Sequence, residues 1–429
     1  MKDKIKILID RALAAVNSFN AIQNHVVVGV DHLIIKNHEY SLKDKDIRCI
    51  CIGKGSVPMS RAINALFGNR ISQGLVITKY NHLGHLTLPG NWESIESSHP
   101  VPDERSLAAG ERMWELLADC TERTIVLACI SGGASALAVA PKAWNALTEL
   151  IANPSLPEIT KEIQELIQCV ISSQFVDLNT VNTQENISLN VIQSINTALL
   201  ESGLSIEKIN AVRSRIDQLK GGGLVERVDK GKVIGLILSD VIGDPISSIA
   251  SGLTNHSSAN NFLIGNNYQA CEAIAKAAKE MGYNAHIITT KLDGEARIKG
   301  TEIAREIITH PSKTVLIYGG ETTVTLSENF KGKGGRNQEL GLAAAIELAI
   351  HNVPAWVTTL ATDGTDGPTD AAGVTVNEMT VNRALRLGLD AQLALDDHNS
   401  YPFFDRLGDL HQIGATGTNV ADITIAIMD

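Results

Sequence analysis

Glycine-flanked turns hold the residues best suited to chemistry. The apolar run at residues 47–52 (IRCICI) enters GKGS, where Gly53 and Gly55 free the backbone around Lys54 and Ser56 precedes a helical pattern. A lysine at the carboxyl end of a predicted parallel strand stands where open α/β sheets bind ligands. A solvated lysine on a glycine turn is the plainer alternative, and this motif alone leaves both open. A second run, residues 124–130 (TIVLACI), enters SGGAS, in which Ser131, Gly132, Gly133 and Ser135 can form a backbone nest for phosphate oxygens. Further on, FKGKGGRNQELG presents Arg336 after Gly334 and Gly335, with Asn337 suited to cap a helix and Glu339 to its first turn. The planar fork of Arg336 matches a carboxylate or a phosphate, whereas Lys331 and Lys333 read as solvent-facing residues of the turn.

Carboxylates occupy comparable places. Asp240 follows the apolar run VIGLIL and could meet a hydroxyl or Mg2+, while Asp244 before Pro245 also suits an ordinary turn. ATDGTDGPTDAAG, residues 361–373, sets Asp363, Asp366 and Asp370 among glycines and a proline. It lacks the full EF-hand pattern and its closing glutamate, so Mg2+ shared with ligand phosphates fits better than a calcium cage. His99, in SSHPVPDERS, lies in a proline-stiffened loop ahead of a helix that Asp103 can cap; a plain loop histidine and a ligand-facing one both fit. No stretch matches the P-loop, no GxGxxG follows the early strands, and GGAS is not a GxSxG nucleophile elbow.

Strands and helices must carry these loops to one place. Near-continuous apolar strands that enter glycine turns and then helices predict a parallel sheet covered on both faces. Residues 74–78 (GLVIT) belong to the same layer, and the polar helical stretch up to about residue 203 reads as a peripheral helical pair or lid. Beyond a boundary near 230, helices at 269–281, 295–308 and 338–350 alternate with strands at 284–290, 313–318 and 355–361, and ADITIAIM closes the chain. GGETTVTLS, with threonines at period two, reads as a hairpin strand, so the second sheet is expected to be mixed. The expected fold class is α/β with two domains: a Rossmann-like parallel-sheet domain over 1–230 and a second α/β domain with a mixed sheet over 231–429.

Composition narrows the partners. The chain has 429 residues, 44% of them hydrophobic, which suits about two domains with full-sized cores. A formal net charge of -11 without long basic runs argues against a nucleic-acid footprint. The N-terminus reads as an amphipathic soluble helix rather than a signal peptide, and no apolar run is long enough for a membrane span. The 6 cysteines lack any CxxC spacing and read as thiols in a reducing cytoplasm.

Taken in order, GKGS, GLVITK, SSHPVPDERSLAAG, SGGASAL, INAVRSRIDQLKGGGL, LSDVIGD, GGETTVT, GKGGRNQEL, ATDGTDGPTDAAG and TGTNVAD make the chain resemble the class II glycerate kinase (glycerate 2-kinase) family, whose C-terminal part is called the MOFRL domain. The resemblance spans about residues 5–427, with the MOFRL region at about 312–427. It implies ATP- and Mg2+-dependent phosphorylation of the small-molecule substrate D-glycerate to 2-phosphoglycerate, at an active site in an interdomain cleft. The family's lysine falls on Lys54 and its arginine on Arg336. In this reading Lys54, Arg336 and Asp240 are catalytic, and Lys54, Ser56, His99 and Arg336 bind substrate. Ser131, Gly132, Gly133, Ser135 and Glu321 hold the nucleotide, and Asp363 and Asp366 hold the metal. A cytoplasmic enzyme is expected, with a homodimer left open. The chain departs from the family pattern at Arg215 and Asp217, where His and Ser are expected, and at Leu253, where Pro is usual. The alternatives are an NAD(P)H-dependent hydroxypyruvate reductase, for which no nicotinamide fingerprint is present, and a non-enzymatic sugar-acid or nucleotide-binding module.

Overall fold

A computed structural model of the chain describes residues 1–429 except 154, 155, 157, 175, 177, 179 and 327–329. The chain forms two compact units, one of residues 21–238 with 244–264, the other of residues 1–20, 239–243 and 265–429. They are called here the parallel-sheet unit and the mixed-sheet unit.

The parallel-sheet unit opens with a small antiparallel sheet of β1 (Val26–Val28), β2 (His32–Ile35) and β3 (His38–Ser41). Its main sheet contains β4 (Asp46–Ile52), β5 (Ile71–Lys79), β6 (Trp92–Ser97), β7 (Thr124–Ile130), β8 (Lys232–Leu238) and β9 (Asn260–Gly265), in the order β6-β5-β4-β7-β8-β9. Neighbours from β6 through β8 pair in parallel. Every residue of β7 is buried, which is why its sequence is an unbroken apolar run rather than an alternating one. The chain leaves β4 through β5 to β6, then returns to the other side of β4 as β7. That reversal places a topological switch point between the carboxyl ends of β4 and β7, where GKGS and SGGAS begin.

Helices Trp144–Ala152, Lys161–Ser173, Leu189–Glu201 and Ile206–Ile216 pack around their own apolar core, which includes Leu147, Ile163, Ile167, Ile195 and Val212. Lys161–Ser173 and Leu189–Glu201 are the pair expected up to about residue 203, and the two flanking helices join them in one cluster with a buried face on each helix. Its polar reading came from the outward faces, which dilute the apolar stripe in the sequence.

In the mixed-sheet unit, β10 (Asn284–Leu292), β11 (Thr314–Gly320), β12 (Ala355–Ala361), β13 (Thr375–Asn377) and β14 (Asp422–Met428) run in the order β10-β11-β14-β12-β13. The pair β10/β11 is parallel and the other pairs are antiparallel, giving the expected mixed sheet. Register sets Gly320 and Ala361 opposite Asp422, so the loops after β11 and β12 leave the same sheet end at which β14 begins. Among the described residues of GGETTVTLS, 319–326, the expected hairpin strand does not form, and Ser327 lies outside the described residues. β11 ends at Gly320 with both edges already paired, and the segment after it makes a single bridge, from Thr323 to Glu295. The N-terminal helix Lys2–Ala15 packs on helix Asn267–Glu280 of the same unit.

Candidate active site

The switch-point loops of the parallel-sheet unit are laced together by their backbones. Lys54 N–H donates to Gly132 O at 2.9 Å, and Gly55 N–H donates to Ser131 Oγ at 2.9 Å. Gly53 has φ +118°, and a Cβ there would lie 2.3 Å from Ser131 Oγ and 2.4 Å from Ser131 O. Only glycine permits so close an approach, and the approach fixes where Lys54 leaves the strand. Ser131 is fully buried and serves this junction. Gly133, at φ +88°, faces Lys54 and His99: a Cβ on it would lie 3.2 Å from the His99 ring and 3.6 Å from Lys54 Cγ. The structure therefore brings Lys54, His99 and residues 131–133 together. Asp103 caps helix Glu104–Leu116 as expected, accepting from Ser106 N–H at 2.9 Å. Ser56 Oγ, at the start of helix Ser56–Phe67, is buried and makes no hydrogen bond among the described residues. An orphaned buried hydroxyl carries a free-energy cost unless something polar meets it, so this atom suits a hydroxylated ligand. Ser135 Oγ lies 2.8 Å from Ser251 Oγ.

The mixed-sheet unit builds a second centre on Arg336. Its Nε and Nη2 grip Asp422, the latter at 3.1 Å, while Nη1 lies 2.6 Å from Glu321 Oε1. Burial opposes the guanidinium charge, but the bond to Asp422 and the charges of Asp422, Glu321 and Asp366 outweigh it and raise the pKa above its ordinary value. Burial raises the Asp422 carboxyl, and Arg336 only partly offsets that. Asp366 is 1% exposed, and its oxygens accept from Asn337 N–H at 3.1 Å and Gln338 N–H at 2.9 Å. This distant carboxylate, rather than Asn337, caps helix Arg336–His351. Gly335 is required there, because a Cβ would lie 2.3 Å from the Asp366 carboxyl carbon. Burial, reinforced by the Asp422 charge, pushes Asp366 up to about 7 against those backbone donors.

The remaining predicted carboxylates are placed separately. Asp363 Oδ1 accepts from Thr365 N–H at 3.1 Å in a tight turn, and Asp370 is an exposed acceptor for Tyr401 at 2.6 Å. Asp240 Oδ2 accepts from Asn419 Nδ2 at 2.9 Å. Glu339 is buried and paired with Arg297 at 2.9 Å and His398 at 2.8 Å, which anchors the helix behind Arg336. A cavity of about 740 Å³ opens beside Arg336, lined by Glu321, Val324, Phe330, Gly335, Pro368 and His398 among others. Among the described residues no trio of carboxylates converges closely enough to hold an ion unaided. The donor set therefore fits Mg2+ only in its usual phosphate-bound form, in which one or two carboxylates suffice. Asp422 was missed by sequence reasoning beyond its place in the final polar turn. Its signal was a carboxylate entering an otherwise apolar last strand.

The MOFRL family model matches residues 314–422, and a model described as a domain of unknown function (DUF4147) matches residues 4–167 and 158–281. A glycerate 2-kinase of Pyrococcus horikoshii is 33% identical, with 98% of this chain and 96% of the relative covered. A D-glycerate 2-kinase of Thermotoga maritima is 35% identical over 88% of this chain and 90% of the relative. The crystal structure of a glycerate kinase from Thermotoga maritima matches with a TM-score of 0.79 at 31% identity, covering 100% of this chain and 99% of that one. No helix among the described residues is long and apolar enough to cross a membrane. With such identity over nearly the whole length of its relatives, the chain belongs to the glycerate kinase family and is a kinase with a C-terminal MOFRL domain.

Proposed function

We propose that this kinase transfers the γ-phosphoryl group of ATP to the C2 hydroxyl of D-glycerate, giving 2-phosphoglycerate and ADP with Mg2+. The observation that carries the reading is that each unit builds a cationic centre, Lys54 on its laced glycine turn in one and Arg336 held by a buried carboxylate in the other, in a chain whose relatives are named glycerate kinases. Phosphoryl transfer needs positioning and neutralisation of oxygen charge more than covalent chemistry from the protein.

In this mechanism the C2 oxygen of glycerate bonds to the γ-phosphorus while the bond from that phosphorus to the β,γ-bridging oxygen breaks. Asp240 orients the hydroxyl and takes its proton. Lys54 places a point charge on the substrate carboxylate or the moving phosphoryl, with His99 and the orphaned Ser56 hydroxyl contacting glycerate. Residues 132–135 offer backbone N–H groups to nucleotide phosphates, while the Ser131 N–H is spent on Ile52 O at 3.0 Å. Arg336 meets anionic oxygens through Nη1, where the ligand displaces the more exposed Glu321, while Asp422 keeps the fork oriented. Mg2+, when bound, neutralises phosphate charge. Asp363 is the carboxylate assigned to it, and Asp366 acts mainly by holding the Arg336 helix in place.

The deciding assay supplies the purified chain with D-glycerate, ATP and Mg2+, then separates 2- from 3-phosphoglycerate by phosphorus NMR. Formation of 2-phosphoglycerate with stoichiometric ADP is expected. Exclusive 3-phosphoglycerate overturns the C2 assignment, and oxidation of NAD(P)H with hydroxypyruvate in place of ADP formation favours the reductase.

A further inference from the structure

Helix Ile206–Ile216 of the parallel-sheet unit carries an arginine that the motifs above leave without a role. Arg213 is half-buried; its Nε donates to Asn196 Oδ1 at 2.9 Å and its Nη1 to Asn210 Oδ1 at 3.5 Å. Both acceptors are neutral amides, and Nη2 makes no hydrogen bond among the described residues. The nearest carboxylate influence is Asp217, one of the positions at which the chain departs from its family pattern. Its Oδ2 is already engaged by Lys220 Nζ at 2.6 Å and Ala140 N–H at 3.2 Å. Burial lowers the guanidinium pKa, and the Asp217 charge only partly opposes this. A guanidinium has five N–H donors and stays charged at any working pH, so withdrawing it from water without an anion is costly.

A second observation places an unusual backbone beside it. Asn210 Oδ1 also accepts from Ser251 Oγ at 2.8 Å, and Ser251 Oγ meets Ser135 Oγ at 2.8 Å. Ser251 sits in a left-handed turn in which Ala250, Ser251 and Gly252 have φ of 53°, 54° and 71°. Two consecutive non-glycine residues at positive φ are strained, and such strain clusters where surroundings enforce a ligand geometry. The hydroxyl pair thus connects the loop after β7 to the amide that Arg213 holds.

We infer that Arg213 is the anion-binding residue of a subsite in the parallel-sheet unit, taking a carboxylate or phosphoryl oxygen of a small substrate beside the Ser135–Ser251 hydroxyl pair. The identity of that substrate rests on the kinase reading above, whereas the subsite does not. The test compares full-length wild type with Arg213→Gln and Arg213→Lys. It measures KM and kcat for D-glycerate and for ATP, and the thermal midpoint with D-glycerate, ATP or inorganic phosphate added singly. Arg213→Gln should raise the KM of one substrate roughly 10- to 100-fold, the worth of a hydrogen-bonded charge pair, and abolish the midpoint shift given by that ligand. A selective effect on D-glycerate identifies the carboxylate; one on ATP and inorganic phosphate identifies the phosphoryl group. Arg213→Lys keeps the charge without the fork and should fall between wild type and Arg213→Gln. The inference is overturned if folded Arg213→Gln keeps both KM values within about twofold of wild type, or if both variants lose stability alike with KM unmoved. If Arg213→Gln does not fold, an unchanged KM in Arg213→Lys overturns it equally. If wild type proves inactive on glycerate, the kinase reading fails; loss of a wild-type phosphate shift in Arg213→Gln still supports the subsite, and its retention refutes it.

Discussion

Arg336→Ala should reveal that this arginine is structural and catalytic at once. Its partner Asp422 has a side chain only 9% exposed and sits in register with Gly320 and Ala361 in the middle of the mixed sheet. Deleting the guanidinium leaves that carboxylate buried without its cation, a loss worth about 3–5 kcal/mol. The variant should unfold at a clearly lower urea concentration with the same slope, and its kcat/KM should fall by roughly 10²–10³ for lost charge stabilisation. The double variant Arg336→Ala/Asp422→Asn removes the charge that needed the arginine, so it should regain most of the stability and none of the activity. A pH series sharpens the test. Burial already raises the Asp422 carboxyl, and losing Arg336 raises it further, so protonation at low pH relieves the variant. The stability gap from wild type should therefore narrow as pH falls and widen as it rises. An Arg336→Ala protein with the wild-type urea midpoint would refute the structural part, and a double variant that recovers turnover would refute the catalytic part.

Lys54→Ala should fold normally and lose roughly 10²–10³ in kcat; turnover near wild type in a folded variant removes Lys54 from the reaction. Gly53→Ala forces a Cβ to within 2.4 Å of the Ser131 carbonyl at φ +118°, so it should cost at least ~1–3 kcal/mol in chemical denaturation and misplace Lys54. Wild-type stability there would contradict the laced junction. Asp366, raised to about 7, holds its proton in the native state over pH values at which the unfolded chain has released it. Its contribution to stability should accordingly fall as pH rises from about 4 to about 7, by up to ~1.4 kcal/mol per pH unit. Asp366→Asn should abolish that slope, and parallel pH-stability curves for the two proteins would count against it. Asp363→Asn should shift the Mg2+ concentration needed for half-maximal rate upward by about tenfold, and an unchanged Mg2+ titration excludes the residue from metal binding.

The grammar of strand, glycine turn and helix was readable because each element announces itself locally. An unbroken apolar run such as TIVLACI needs cover on both faces, and a glycine run such as SGGAS needs a turn. Lys54 and Arg336 were visible for the same reason, as cations beside glycines. Partnerships across long sequence separations were not. Asp422 lies 86 residues from Arg336, and only the register of β14 between β11 and β12 makes it the arginine's holder. Asp366 looked like one metal ligand among several aspartates, but its oxygens are engaged by the backbone N–H groups of Asn337 and Gln338, 29 and 28 residues earlier. The apolar face of Lys2–Ala15 was plain, yet nothing in its spacing says that it covers helix Asn267–Glu280. GGETTVTLS had strand periodicity, but both edges of β11, the strand it would fold back on, are taken by β10 and β14, since sheet order decides pairing and period two does not.

The way these cations are held bears on specificity. A net charge of -11 gives an anionic substrate no long-range attraction to exploit, and at physiological salt such fields fade within about 8 Å. Binding must then come from local donors already in position. Arg336 is held by a buried carboxylate on one side and by the exposed Glu321 on the other. In the proposed reading an incoming anion gains only the difference between itself and Glu321, which weakens ground-state affinity. A transferring phosphoryl group, with its charge spread over several oxygens, can use the released Nη1 more fully than a monodentate substrate carboxylate can. Glu321→Gln separates these contributions. It should lower KM modestly by removing the competitor while leaving kcat unchanged or reduced, because the ground state gains at least as much as the transition state. If Glu321→Gln instead raises KM, Glu321 is orienting the fork rather than occupying the ligand's place, and the exchange does not occur.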